Sequence, residues 1–507
     1  MTIRRQLKFK LTTAAILAIL LIGPACSSSK KTRQNGNNEQ TAMNQPDMAN
    51  RGDMPPGPPP NGDQPNGTPP GPPPNGQKPN GTPPGPPPDG KGPQGMPPGG
   101  MNEQFDNSLI KYAVLADKGK TTKSGETITA KDENQSAVYA DNKATATLSH
   151  NRITTSGNTT SNDLSSFQGL NAAVLGRDES VIKMDHNTIT TSGKGANAIF
   201  AYGKSTIYTD SDIIDCTDGG AHGIMASGGG TIVATNVQMI TRGANSGAVA
   251  TDRGSGTITV DGGTIKTTGP DSPGVYSTGK ITVSNAEVSS TGAEVAVIEG
   301  SNSIVLNNCQ LEYSFQNKWG VMIYQSFSGD AEGVDGHFEV NGGKLTSTDK
   351  KGPLFFVTNS NANIYINQAK VETASGILLN AAATNRWGHE GSNGGKAHLM
   401  AKKQVLQGDF VADKNSTIEL DLETGSKLEG KINAENSAQN VAVKIDDSSN
   451  WSLTGDSYVN QIEVSVISGK IENISGNGHN IYYATADCPS LRGKTYQLKN
   501  GGSLIPR

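Results

Sequence analysis

Ile281-Thr282-Val283-Ser284-Asn285-Ala286-Glu287-Val288-Ser289-Ser290 is the stretch on which the fold rests. Ile281 and Val283 alternate with polar residues, Ser284-Asn285 breaks the run, and the alternation resumes at Val288 and Ser290. Alternation with period 2 marks a strand with one buried face, and an Asn-containing break marks a turn. The same arrangement recurs at Ile182, Met184 and Ile189; at Ile258, Val260 and Ile265; at Ile304, Leu306 and Leu311; at Phe338, Val340 and Leu345; and at Ile364, Ile366 and Val371. Weaker copies at Ala146–Leu148–Ile153, Ile207–Thr209–Ile214 and Ile232–Ala234–Met239 bring the total to nine.

Counted on their closing apolar residues, the copies fall at 153, 189, 214, 239, 265, 288, 311, 345 and 371. Most steps are therefore 23–26 residues, and two, of 36 and 34, carry insertions. A period in this range is the signature of a repeat architecture. Three short strands of roughly 4–6 residues and three turns fill one step. No stretch shows a 3.6-residue period long enough for a helix. The fold expected is all-β, a single-stranded right-handed parallel β-helix (a solenoid) rising ~4.8 Å per coil.

The register also assigns columns. Two residues after each closing position stand Thr155, Thr191, Cys216, Thr241, Thr267, Ser290, Tyr313, Ser347 and Thr373, an expected interior ladder of mostly hydroxyls. A third apolar column is expected at Ile199, Ile224, Val249, Val275, Val297 and Val321. Open strand edges at the ends of such a rod template aggregation, so caps are expected, the first from Phe105 to Asp132. Residues 397–507 alternate less regularly and read as further coils with a cap near Tyr496–Ile505.

In that region Ser449-Asn450-Trp451-Ser452-Leu453-Thr454-Gly455-Asp456-Ser457-Tyr458-Val459 resembles the end of autotransporter passenger domains. Residues 145–505 more widely resemble a group of right-handed β-helix, adhesin-like exported proteins of prokaryotes, which have the pectin-lyase-like fold. The stretches that carry the likeness are Gly169–Val174, Val321–Ser326, Gly329–Glu332 and Gly391–Gly395. The resemblance implies a fold and a location at the cell surface more than an activity.

The N-terminus supports the same location. Arg4, Arg5, Lys8 and Lys10 precede an apolar run from Leu11 to Ile22, shorter than a membrane span, and Gly23-Pro24-Ala25-Cys26 follows. This resembles a bacterial lipoprotein signal, with Cys26 lipidated and anchoring the protein to the cell outer membrane or surface. Gly23 stands where that pattern usually has Leu, and Gly23 and Ala25 also suit ordinary signal peptidase. Residues 27–54 are polar and poor in apolar side chains. Three 14-residue Pro/Gly repeats start at Pro55, Pro69 and Pro83 and read as a semi-rigid extended stalk. The expected organisation is a signal peptide over 1–25, a disordered tether over 26–54 and the repeats over 55–100. An N-terminal cap and first coil over 101–145, a regular helix over 146–396 and C-terminal coils over 397–507 complete it.

A net charge of −4 with no basic stripe argues against nucleic acid as a partner. The four cysteines of an exported chain invite disulfides. Cys216 and Cys309 nevertheless sit four coils apart, roughly 19 Å at ~4.8 Å per coil, beyond the ~7 Å a bond allows. With no CxxC pair and no HExxH motif, neither a metal nor another cofactor is expected. The column four residues before the closing position holds Asp185 and Asp210, read as turn residues bonding their own backbone.

Loops carry function on a solenoid, so the insertions supply the candidate ligand-binding residues. One follows Trp319 and includes Tyr324, Gln325, Asp330 and Glu332; the other includes Trp387, His389 and Glu390. Indole rings, carboxylates and amides are materials for stacking on sugars and bonding their hydroxyls. The remaining long gap, Asn158–Gln168, reads as spacer. Asp252 and Glu299 follow the same column two coils apart, about 10 Å and too far for a tight carboxylate pair. Glu299 either points inward or faces water at a turn. The leading expectation is a non-enzymatic, monomeric, surface-anchored protein binding glycans or cell-surface partners. The alternative is a polysaccharide lyase or glycoside hydrolase, which converging carboxylates on one lateral face would favour.

Overall fold

The computed structural model describes residues 106–316, 318–327 and 330–507. The expected signal peptide, Cys26, the tether, the Pro/Gly repeats and Phe105 lie outside these residues. The chain forms a right-handed parallel β-helix of about 16 turns. Its strands make a 12-stranded sheet, a 22-stranded sheet that takes two strands from most coils, and an 8-stranded sheet confined to the C-terminal part. Among the described residues no helix is long and apolar enough to cross a membrane.

The repeat register is the register of the sheets. Ile153, Ile189, Ile214, Met239, Ile265, Val288, Leu311, Leu345 and Val371 stack one on the next. Ile128 extends the column one coil earlier, so Lys111–Asp117, Lys120–Ser124 and Thr127–Ala130 already make a regular coil rather than a separate cap. The hydroxyl ladder is buried from Thr155 to Ser347. Ser290 Oγ donates to Ala293 O at 2.8 Å, and the Cys216 thiol points at His222 O at 3.4 Å, in the place of a hydroxyl. Thr155, Thr191 and Thr267 make no side-chain hydrogen bond, so their β-branched shape accounts for their place there.

Three expectations need correction. The third apolar column runs Val275, Ala296, Val321, not through Val297, because the corner from Ser290 to Ala296 is two residues shorter than that from Thr267 to Val275. Val297 therefore faces outward. The gap Asn158–Gln168 contains a helix, Asn162–Gln168, capped by Ser161, whose hydroxyl accepts from Leu164 N, and ended by Gly169 at φ 78°. Seven residues are too few to show a helical period in the sequence. Glu299, finally, neither enters the core nor faces water: it points outward and is 1% exposed.

Cys216, Cys309 and Cys488 are buried free thiols. Burial pushes the Cys216 thiol up to about 12, which leaves it unreactive. At the C-terminal end Trp451 is fully buried and donates its indole N–H to Gly430 O at 2.9 Å. Tyr496–Lys499 and Ser503–Pro506 pair antiparallel and close the rod, which satisfies edge groups that parallel stacking would leave open.

Candidate functional site

The outward positions of the 12-stranded sheet are unusually apolar. Leu175, Phe200, Met225, Ala250, Tyr276, Val297, Met322 and Phe356 follow one another across successive coils. A solvated face would alternate apolar-in with polar-out, so this face is built to be covered. Two insertions cover it. Helix Asn162–Gln168 and the segment after it bring Leu164 and Leu170 onto Phe200 and Met225. Tyr324, the last residue of strand Val321–Tyr324, and Trp387, from the loop between Ala381 and Lys396, pack on Val297, Met322 and Phe356. Trp319 stacks on Phe356 with ring centres 4.1 Å apart, and Trp387 lies 4.8 Å from Tyr324. The two tryptophan-bearing segments thus meet, yet their rings are spent on packing.

Between the two roofs a cleft of about 280 Å³ remains, bounded by Asn162, Lys194, Met225, Tyr276, Asp252 and Asp330. Tyr276 touches both apolar clusters and forms the floor between them. Arg253 stands behind the lining residue Asp330. Its Nε donates to Asp330 Oδ1 at 2.8 Å, and its guanidinium lies 4.0 Å over the Phe167 ring, so one side chain ties both walls together.

Carboxylates converge here. Glu299 lies under the floor and accepts from Tyr276 Oη at 2.6 Å, Tyr324 Oη at 2.8 Å and the Ser326 hydroxyl. The coil between Asp252 and Glu299 is thus bridged by Tyr276, and the insertion adds Asp330 as a third carboxylate. Burial holds the Asp252 carboxyl well above the usual range, and the charge of Asp330 adds to this; the Arg253 N–H it accepts pulls the other way. Burial followed by the Glu299 charge raises the phenols of Tyr276 and Tyr324 likewise. His222, also on the cleft wall, is pushed down to about 4 by burial. A neutral imidazole there donates from Nδ1 to Gly247 O at 3.1 Å. The cleft therefore presents Asp252 with its carboxyl pushed toward the protonated form, neutral His222 and two phenols as groups that bond hydroxyls, with Asp330 paired to Arg253.

Of the candidate residues, Asp330 lines the cleft, Tyr324 forms part of it, and Gln325 is buried beneath the loop, donating to Gly333 O. Glu332, His389 and Glu390 are exposed on their loops and do not line the cleft. Tyr276, Arg253, Phe167 and Lys194 were missed by sequence reasoning. Tyr276 had a signal: it is the one phenol at an outward position whose neighbouring coils carry Ala250 and Val297. Phe167 lies in the segment read as spacer.

A second depression of about 630 Å³ runs along the 22-stranded sheet past Asp215, Lys266, Glu287, Glu312 and Lys344. It is an open trough with no insertion over it. Asp215 pairs with Arg242 at 3.0 Å and Lys344 with Glu372 at 2.9 Å, while Lys266, Glu287 and Glu312 face water; the cleft, walled on two sides, is the more specific feature. No protein-family model matches the chain, and no curated protein or solved structure does either.

Proposed function

We propose that the protein is a surface-anchored, non-enzymatic β-helical rod that binds glycans in the cleft between helix Asn162–Gln168 and the Tyr324–Asp330 segment. The observation that carries the reading is the cleft's composition. Its floor is an aromatic and thioether surface, Tyr276 and Met225, and its walls are mostly uncharged or paired hydrogen-bonding groups, with Lys194 a cation at the rim. A saccharide ring offers a flat apolar face and a rim of hydroxyls, the complement of such a site. The lipid-type N-terminus and the Pro/Gly repeats support display at a cell surface.

Full-length protein on a glycan array, followed by calorimetry on the hits, tests this. Substituting the rim residues Lys194→Ala and Asn162→Ala together removes two polar contacts without touching the core. An affinity loss of about tenfold or more is expected, the worth of roughly one hydrogen bond to a ligand. Hits bound equally well by the double variant would place recognition elsewhere.

One observation favours a second reading, glycan cleavage. Asp252, whose carboxyl burial raises, lines the same cleft as Asp330, which Arg253 pairs, so two carboxyls stand there in unlike environments, as an acid and a base require. New reducing ends or unsaturated products, released by the parent protein and abolished in Asp252→Asn, would replace binding with hydrolysis or elimination.

A further inference from the structure

Each coil of the 22-stranded sheet turns a corner through one residue in the left-handed region. At Asn236, Gly262, Asn285, Asn308 and Gly342 its φ lies between 51° and 76°, and Ser211, Gln368 and Lys403 hold the same position at φ 55°, 53° and 49°. Asn and Gly are the residues that conformation favours. On two adjacent rungs the same position is histidine: His150 at φ 57° and His186 at φ 53°. A turn that Asn serves elsewhere does not need an imidazole twice in succession, and the chain has only seven histidines, none before residue 150.

The corner beneath them is rigid. His150 N donates to Asp185 O at 2.9 Å and His186 N to Asp210 O at 3.0 Å. Next to them, inside the corner, Asn151 Nδ2 donates to Asn187 Oδ1 at 3.0 Å and Asn187 Nδ2 to Asp212 Oδ1 at 2.9 Å. Coil stacking therefore sets the rings face to face, 5.3 Å apart and 6° from parallel. Asp185 Oδ1 lies 2.7 Å from His186 Nδ1. One ligand atom each from His150, Asp185 and His186 lies within 4.8 Å of the others. The group faces solvent, with His186 57% and Asp185 48% exposed, so the side chains are free to close by the ångström or so that roughly 2.0–2.2 Å metal bonds require.

We propose that His150, Asp185 and His186 form a surface binding site for a divalent transition-metal ion of the zinc type. Two imidazoles and one carboxylate are the donor set such ions prefer, whereas calcium and magnesium prefer oxygen alone. Three protein ligands leave a coordination position for water. A second group, His398, Glu419 and Asp421, offers only one nitrogen.

The test uses the full-length chain stripped with chelator and titrated with Zn²⁺ by calorimetry, beside His150→Asn, His186→Asn and His398→Asn. Asn holds this left-handed position at 236, 285 and 308, so the corner is retained. The expected result is uptake that weakens at least tenfold in His150→Asn and in His186→Asn and is unchanged in His398→Asn. Cu²⁺ bound to the parent protein is expected to show two nitrogen ligands by electron paramagnetic resonance, a readout independent of any variant's folding. Uptake unaffected by the two corner substitutions, equal competition by Ca²⁺, or a copper signal without two nitrogens would overturn the site and leave a stacked, ion-paired histidine corner.

Discussion

At the scale of single residues, two buried glutamates make opposite predictions. Glu299 is satisfied by three hydroxyls, so its removal orphans buried donors. Glu299→Ala is expected to destabilise the 324–333 segment by about 1–3 kcal/mol, and Glu299→Gln by less, measured by amide exchange of that segment. Glu294 is fully buried without a hydrogen bond to either oxygen; the Trp319 indole N–H pulls weakly on it without reaching bonding geometry. Burial pushes its carboxyl up to about 7 from 4.5. A carboxyl with a raised folded value costs nothing below pH 4.5. Between the two values it destabilises increasingly, because only the unfolded chain releases its proton. Stability is therefore expected to fall by about 3 kcal/mol from pH 4.5 to pH 8 through this group. Glu294→Gln should flatten that slope in denaturant titrations at the two pH values, and an unchanged slope would show that Glu294 titrates normally.

At the scale of elements, the stacked strands were legible because period-2 alternation and Asn turns are local features. Ile281-Thr282-Val283 needs no distant partner to be read as a strand. The cleft was legible only in parts. Asp330 stood out in its insertion, and Asp252 and Glu299 stood out by column. Their connection runs through Tyr276, an outward residue whose role depends on what lies above it. Helix Asn162–Gln168 escaped notice because its hold on the sheet is tertiary: Leu164 and Phe167 find their contacts on other coils. Trp319 and Trp387 looked like ligand platforms because aromatic rings at loop starts serve packing and binding alike. The tie between the two walls gives an element-scale prediction. Arg253→Ala leaves Asp330, 7% exposed, without its cation, and strips Phe167 of its partner. Both walls are expected to loosen, by about 2–3 kcal/mol at the Asp330 segment. Limited proteolysis should then cut within 158–170 and 324–333; cleavage in only one of them would show that the walls are held independently.

At the scale of the whole molecule, the rod is quasi-one-dimensional, each coil held by its neighbours, so its ends decide its solubility. Truncation after residue 484 removes the antiparallel pair Tyr496–Lys499 and Ser503–Pro506 and exposes the edges of the strands at Ile481–Tyr483 and Lys470–Ser475. Concentration-dependent association, followed by light scattering, is the expected outcome, while the coils distant from the cut keep their exchange protection. The lateral faces divide by purpose. The 22-stranded sheet shows water a mosaic of charges, some paired, and the 12-stranded sheet an apolar strip that two insertions cover except at one cleft. That division is what makes the cleft the place to look for a ligand. Amide exchange of the full-length protein, with and without a saturating array-derived oligosaccharide, tests it most directly. A saccharide in the cleft predicts protection in both walls, at 162–168 and 324–333, and at the floor around Tyr276, with the 22-stranded face unchanged. Protection confined to the trough between Asp215 and Lys344, or none on the 12-stranded face, would contradict it.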